Sequence, residues 1–178
     1  MDPIADRLAQ GAVSRRNVVV RLGGGALAAL LLAAAQSPLH LAAQDATPAA
    51  VGVTAQAMGA GQPTTAPGLE LSLRRITIAP DGSIPAHTHP GALVIFVEAG
   101  TFGYTTLGGT AHLTRAAAEG GTPTATEAMP IGTEVLLNPG DWLFTEDPQD
   151  DARNAGEDDV VVLVAGLTQV GEPFTTFL

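Results

Sequence analysis

Apolar and polar side chains begin to alternate at Leu69. Leu69, Leu71 and Leu73 share one parity and Glu70 and Ser72 the other, which is the period of a strand with one face buried. At Arg74-Arg75 the apolar role passes to Ile76 and Ile78, predicting a bulge or a sheet-to-sheet bend at the arginines. Pro80-Asp81-Gly82 has the chemistry of a turn, the segment up to His89 reads as the next strand, and Pro90-Gly91 bends the chain again. Ala92 to Val97 is apolar at every position and is expected to be covered on both faces.

Further strands are predicted over Thr101–Leu107 and Thr110–Arg115, joined by a hairpin turn at Gly108-Gly109. Others follow at Glu134–Leu137, at Trp142–Phe144 after the turn Asn138-Pro139-Gly140-Asp141, and at Val160–Val164. Ala116 to Ala128 reads as an inserted loop and Thr145 to Asp151 as an acidic loop. Short strands at intervals of roughly eight to twelve residues, with Gly or Pro between them, indicate an all-β antiparallel barrel or sandwich. Beyond the N-terminal region no segment carries a helical period, and nothing repeats at a fixed spacing.

The first 43 residues read as an address. A short basic region, Ser14-Arg15-Arg16-Asn17, precedes an apolar stretch from Leu22 to Ala35 that, at about fourteen residues, is short for a bilayer span of roughly twenty. The paired arginines resemble a twin-arginine export motif, although Val18 and Val19 stand where such signals usually carry Phe and Leu. Small residues before Gln44, at Ala42-Ala43, are the preferred cleavage site. The expectation is a signal peptide over 1–43 and an exported mature protein with no membrane segment. Residues 44–67, rich in Ala, Thr, Pro, Gly and Gln, read as a flexible linker before a domain over 68–178.

Charge narrows the partners. The chain has no lysine, and from Gln44 onward four arginines face sixteen acidic residues. Such a field repels nucleic acid and anionic lipid and favours cations or neutral ligands. There is no cysteine, so no disulfide or lipidated thiol stabilises or anchors the chain, and stability has to come from packing.

Candidate chemistry centres on His87 and His89. Two residues apart on a strand they point to one face, where their imidazoles can chelate one ion of Fe, Mn, Ni, Cu or Zn. No phosphate loop, nucleophile elbow or Ser-His-Asp arrangement is visible. His112, on a later strand, is a reserve ligand. Glu98 is set aside, because if Leu93, Ile95 and Val97 point inward its parity sends it outside.

Gly82, His87, His89 and Gly100, with Pro139-Gly140-Asp141 and Asn154 further on, resemble the two motifs of the cupin superfamily. The match departs from the pattern in places: Gly82 lies one residue too close, and Leu93 occupies the position of the first motif's glutamate. Counting back four from Asn154 reaches Asp150 where the second motif has a histidine, and the interval from Gly140 to Asn154 is one residue short. The resemblance implies a double-stranded β-helix, a jelly-roll barrel with its ligand site inside. It also implies a third ligand at Asp150 or its neighbour Asp151, a reaction of the oxygenation or isomerisation type on a small molecule, and a homodimer. The rival reading is a non-catalytic module whose metal-free pocket, made greasier by Leu93, holds a small neutral molecule.

Overall fold

The computed structural model describes residues 49–117 and 125–178. The expected signal segment, the start of the linker and the middle of the expected inserted loop lie outside the described residues. No helix occurs among the described residues. Among the described residues nine strands run in chain order: β1 (Val51–Gly61), β2 (Leu69–Thr88), β3 (Gly91–Ala99), β4 (Phe102–Thr114), β5 (Glu127–Ala128), β6 (Glu134–Leu137), β7 (Trp142–Asn154), β8 (Val160–Gln169) and β9 (Thr176–Phe177).

Two of these strands, β2 and β7, are long because each passes through two sheets. The first half of β2 pairs with β8 over Leu69–Ile78, and its second half pairs with β7 from Ser83 to Thr88. β8 pairs with β3 on its other edge, and β3 pairs with β7 over Trp142–Glu146. The path β2–β8–β3–β7–β2 therefore closes into a barrel, and β4 lies along the other edge of β7. All pairings between these strands are antiparallel, and the architecture is the all-β jelly roll that the turn spacing predicts.

The bends that carry strands from sheet to sheet sit where turns are expected, but the chain continues through them. Asp81 in β2 and Asp147 in β7 both have positive φ, 62° and 45°, a conformation that Asp tolerates better than most residues. Gly108-Gly109 is a bulge inside β4 and not a hairpin turn; register shifts flank Gly108 opposite Gln149. At Gly109, φ is 73° and a Cβ would lie 2.6 Å from the Glu146 carbonyl oxygen, so only glycine fits where β4 crosses the kink of β7. The acidic loop expected over Thr145–Asp151 is likewise the middle of β7. Glu146 is exposed, whereas Thr145, Pro148 and Asp150 are buried.

Facing rows of aliphatic and aromatic side chains fill the interior, with Ile78, Leu93, Val97, Val160 and Val162 from one sheet and Phe102, Tyr104 and Ala152 from the other. The parity flip expected at the arginines does not occur. Pairing of β2 with β8 is continuous from Leu69 to Ile78, so Ser72, Arg74, Ile76 and Ile78 share the inner face while Leu71 and Leu73 lie outside. The bulge is in the partner strand β1, between Ala57 and Gly59. The run in β3 is covered on one face only: Leu93 is 1% exposed, whereas Val94 and Phe96 are each 39% exposed.

The segment read as a linker contains β1, whose Val53 packs against the core while its backbone pairs with β2. A weakly apolar stretch becomes a strand there because the open edge of β2 satisfies its backbone groups. The expected inserted loop re-enters the sheet at β5, paired to β4 through His112 and Leu113.

Two motif residues serve the scaffold. Asn154 is buried and donates to the carbonyls of Ile78 and Asp158 at 2.9 and 2.8 Å, while its own oxygen accepts from Gly156 N–H at 2.8 Å. It ties the bend of β2 to the β7–β8 connection. Asp141 is 4% exposed and accepts from the N–H groups of Asn138 and Ala116 and from the Arg115 guanidinium. Burial alone would raise its carboxyl, but these donors hold it below the ordinary 3.8. Asp141→Ala is expected to cost about 3 kcal/mol in urea denaturation near neutral pH, because three donors lose a charged acceptor. The native state favours ionised Asp141, so this contribution is present above pH 3.8 and lost as pH falls through the lower native value. The gap between variant and wild type should narrow at the acid end of the series.

Candidate metal centre and pocket

His87 sits near the end of β2, in the stretch that has crossed to pair with β7, and His89 follows directly after the strand. Their imidazoles converge: the ring centroids are 4.8 Å apart and the planes are nearly perpendicular. Asp150 reaches them because β7 pairs there with β2, His87 opposite Asp150. Asp150 is 2% exposed and His87 4%. Their side chains meet at 3.3 Å between Nε2 and Oδ1. One ligand atom from each of His87, His89 and Asp150 lies within 4.8 Å of the others.

The backbone settles which imidazole nitrogens face the centre. His87 Nδ1 is 2.9 Å from the carbonyl oxygen of Pro85, and His89 Nδ1 is 2.5 Å from that of Phe174. A carbonyl can only accept, so each Nδ1 carries a proton, and in the neutral imidazole it is Nε2 that holds the lone pair. Backbone carbonyls holding the far nitrogen are the usual way in which metal-binding histidines are oriented. His89 is lowered to about 4, first by burial and then by the charge of His87, so near neutral pH it is a neutral ligand.

Burial raises Asp150 to about 6, opposed by the neighbouring His87. Tyr104, which burial and the neighbouring Asp150 keep protonated, has its phenolic O–H beside this carboxylate. Two imidazole lone pairs and a carboxylate suit a divalent transition metal such as iron, manganese or zinc. The residues present fit the group.

These side chains line one pocket of about 120 Å³ inside the barrel. Its other walls are mostly apolar, among them Ile76, Leu93, Ile95, Phe102 and Val164. Leu93, 1% exposed, gives this part of the interior a hydrocarbon surface. Phe174 caps the His89 side, its ring 4.9 Å from the imidazole. The residue facing it across the sheet is Gly166, where a Cβ would lie 2.7 Å from the Phe174 ring.

Of the two neighbouring carboxylates considered from sequence, strand parity brings Asp150 inward, while Asp151 takes the other face and pairs with Thr105. His112 does not join the group. Ala111 and Leu113 occupy the inner face of β4, and His112 lies on the opposite face, across from Phe144. Glu98 is outside, bound to Arg75 through two hydrogen bonds of 3.0 and 3.2 Å. Two wall residues, Arg74 and Phe174, escaped the sequence reading of the site. For Arg74 the signal existed, since it keeps the parity of Ile76 and Ile78; Phe174 follows the last long strand in a stretch without any period.

No family model matches the chain, and no curated protein matches it significantly. Many solved structures share its strand arrangement, among them cupin superfamily proteins. A cupin 2 domain-containing protein from Halorhodospira halophila overlaps 71% of this chain and 70% of its own length at 13% identity, with a TM-score of 0.46. A cupin superfamily protein from Desulfitobacterium hafniense overlaps 66% and 78% at 13% identity, with a TM-score of 0.42. The polyketide cyclase RemF from Streptomyces resistomycificus overlaps 75% and 77% at 19% identity, with a TM-score of 0.38. Likenesses this remote transfer no activity to the chain.

The raised Asp150 carboxyl has a measurable consequence in metal-free protein. The native state binds this proton more tightly than the unfolded chain, so its contribution to stability is full below pH 3.8 and lost as pH rises through about 6. Asp150→Asn cannot ionise and should be more stable than wild type under chelation at about pH 7.5, the advantage shrinking as pH falls below about 6. Urea denaturation of both proteins at each pH reads the difference. Comparing them pH by pH removes the opposite slope that His89 gives both.

Proposed function

We propose that this chain is an exported metal-binding barrel that acts on or holds a small organic molecule, with His87, His89 and Asp150 as the protein ligands of one divalent transition metal ion. The observation that carries the reading is the pair of Nδ1 contacts to Pro85 and Phe174, which leave two lone pairs beside a buried carboxylate. Two histidines and one carboxylate form the donor set that suits iron(II) and leaves positions for other ligands. A metal held there would supply Lewis acidity or redox chemistry according to its identity.

The chain's own residues supply the rest. The apolar walls exclude water and strengthen every polar contact inside. Tyr104, protonated at any ordinary pH, offers a phenolic O–H as hydrogen-bond donor to a molecule in the pocket. Reaction classes compatible with this set are oxygenation and isomerisation. Export is supported by the paired arginines and the short apolar stretch that follows them. A homodimer fits the uncovered apolar outer face carrying Leu71, Val94 and Phe96. The acidic surface argues against nucleic acid as a partner.

A second reading, a metal-free binding module, is favoured by one observation: Leu93 removes a ligand oxygen and adds to the hydrocarbon lining. Elemental analysis of untagged protein purified without chelator separates the two. Stoichiometric iron, manganese, nickel, copper or zinc is expected in wild type, with at least about a tenfold loss in His87→Ala/His89→Ala. Native protein without any of these metals would leave the binding module standing.

A further inference from the structure

Arg74 is the arginine that the surface chemistry leaves over. Among the described residues Arg75 is paired with Glu98, Arg115 with Asp141 and Arg153 with Glu134, each within 3.0 Å. Arg74 has no such partner. Its cross-strand neighbours are Ala57 in β1 and Val164 in β8, neither of which carries a charge. Its Nε is buried and makes no hydrogen bond. In a chain with more than twice as many acidic as basic residues, a guanidinium without a carboxylate calls for a cause.

The side chain is also held in place. Its guanidinium carbon lies 4.0 Å from the centroid of the Phe174 ring, a stacking contact, and Phe174 in turn packs on His89. Strand parity puts Arg74 on the inner face with Ile76, and it lines the same pocket as the two imidazoles. The guanidinium is close enough for its charge to disfavour protonation of His89. A planar donor fork, oriented by an aromatic face and facing an apolar cavity, is built to meet a planar two-oxygen acceptor.

We infer that the pocket takes a small organic acid, its carboxylate on the Arg74 guanidinium and its apolar body against Ile76, Leu93, Ile95 and Val164. The ligand class deepens the proposed function and rests on reading the barrel interior as a ligand pocket, but it does not depend on the metal. Asp150 stands in the second sheet, on β7, and the first half of β2 carrying Arg74 stands in the other, so acid and base occupy different walls. The room available, about 120 Å³, limits the body to a ring or a short chain, since cavities of roughly 150 Å³ take up a single benzene.

Calorimetric titration of the full chain with matched pairs, benzoate against benzamide and hexanoate against hexanamide, tests this with and without chelator. In wild type at least one acid is expected to bind about tenfold or more tightly than its amide, from a charged and bidentate pair in a partly buried site. Arg74→Gln should erase that preference without lowering the melting temperature or the metal content. Arg74→Lys, which keeps the charge but loses the fork, should fall between the two. Equal binding within both pairs, or a preference that survives in Arg74→Gln, overturns the inference. So does a preference that disappears with the metal while Arg74 is intact, which would place the carboxylate on the ion. An Arg74-dependent preference in protein that never holds metal sustains the organic acid and sinks the metal centre.

Discussion

The constraint on which this structure turns is the placing of three polar side chains, His87 and Asp150 buried and His89 half-buried, within an apolar barrel. They can stay there because each has a specific group to hold it. Backbone carbonyls take the two imidazole protons, cross-strand pairing fixes the carboxylate, and the hydrocarbon walls amplify whatever remains unpaired. Asp150 in turn meets His87 at 3.3 Å and has Tyr104 beside it, so the polar groups of the two sheets gather at one point of the apolar interior.

The fold was largely readable because period-two alternation and Gly or Pro punctuation are local signals. The apolar runs Ala92–Val97 and Val160–Val164 announce strands, but being apolar at every position they do not say that Leu93, Ile95, Val97, Val160, Val162 and Val164 are the ones facing inward. What could not be read is which turn-like segments end a strand and which bend one. Pro80-Asp81-Gly82, Gly108-Gly109 and Glu146-Asp147-Pro148 have the composition of turns, yet each is a kink inside a continuous strand. The difference is non-local: a kinked strand continues when a partner waits on the far side to pair with it. The same reason hid β1, whose Ala-, Gly- and Val-rich sequence has little drive of its own but meets the open edge of β2.

The site divides along the same line. His87 and His89 are visible because two histidines at strand spacing converge whatever the wider fold does. Asp150 was one of two neighbouring carboxylates, and only the register of β7 against β2 separates it from Asp151. Arg74 was misplaced because Leu69, Leu71 and Leu73 suggest a buried face; those leucines instead lie on the outer surface of the sheet, and the inner face starts with Ser72 and Arg74. Apolarity identifies a face, but where both faces hold apolar residues it does not say which one is interior.

Since β2 and β7 each contribute to both sheets, and the metal-ligand candidates lie at their shared stretch, neither sheet can peel away while the other persists. Disruption at one end of such a strand is transmitted along the covalent backbone to its other half. The barrel should therefore melt as one cooperative unit, with no partly opened form that keeps one sheet while losing the imidazoles. Rigidity of that kind favours a preorganised binding cavity over an adaptable one, with selectivity decided by shape before contact and little by rearrangement afterwards.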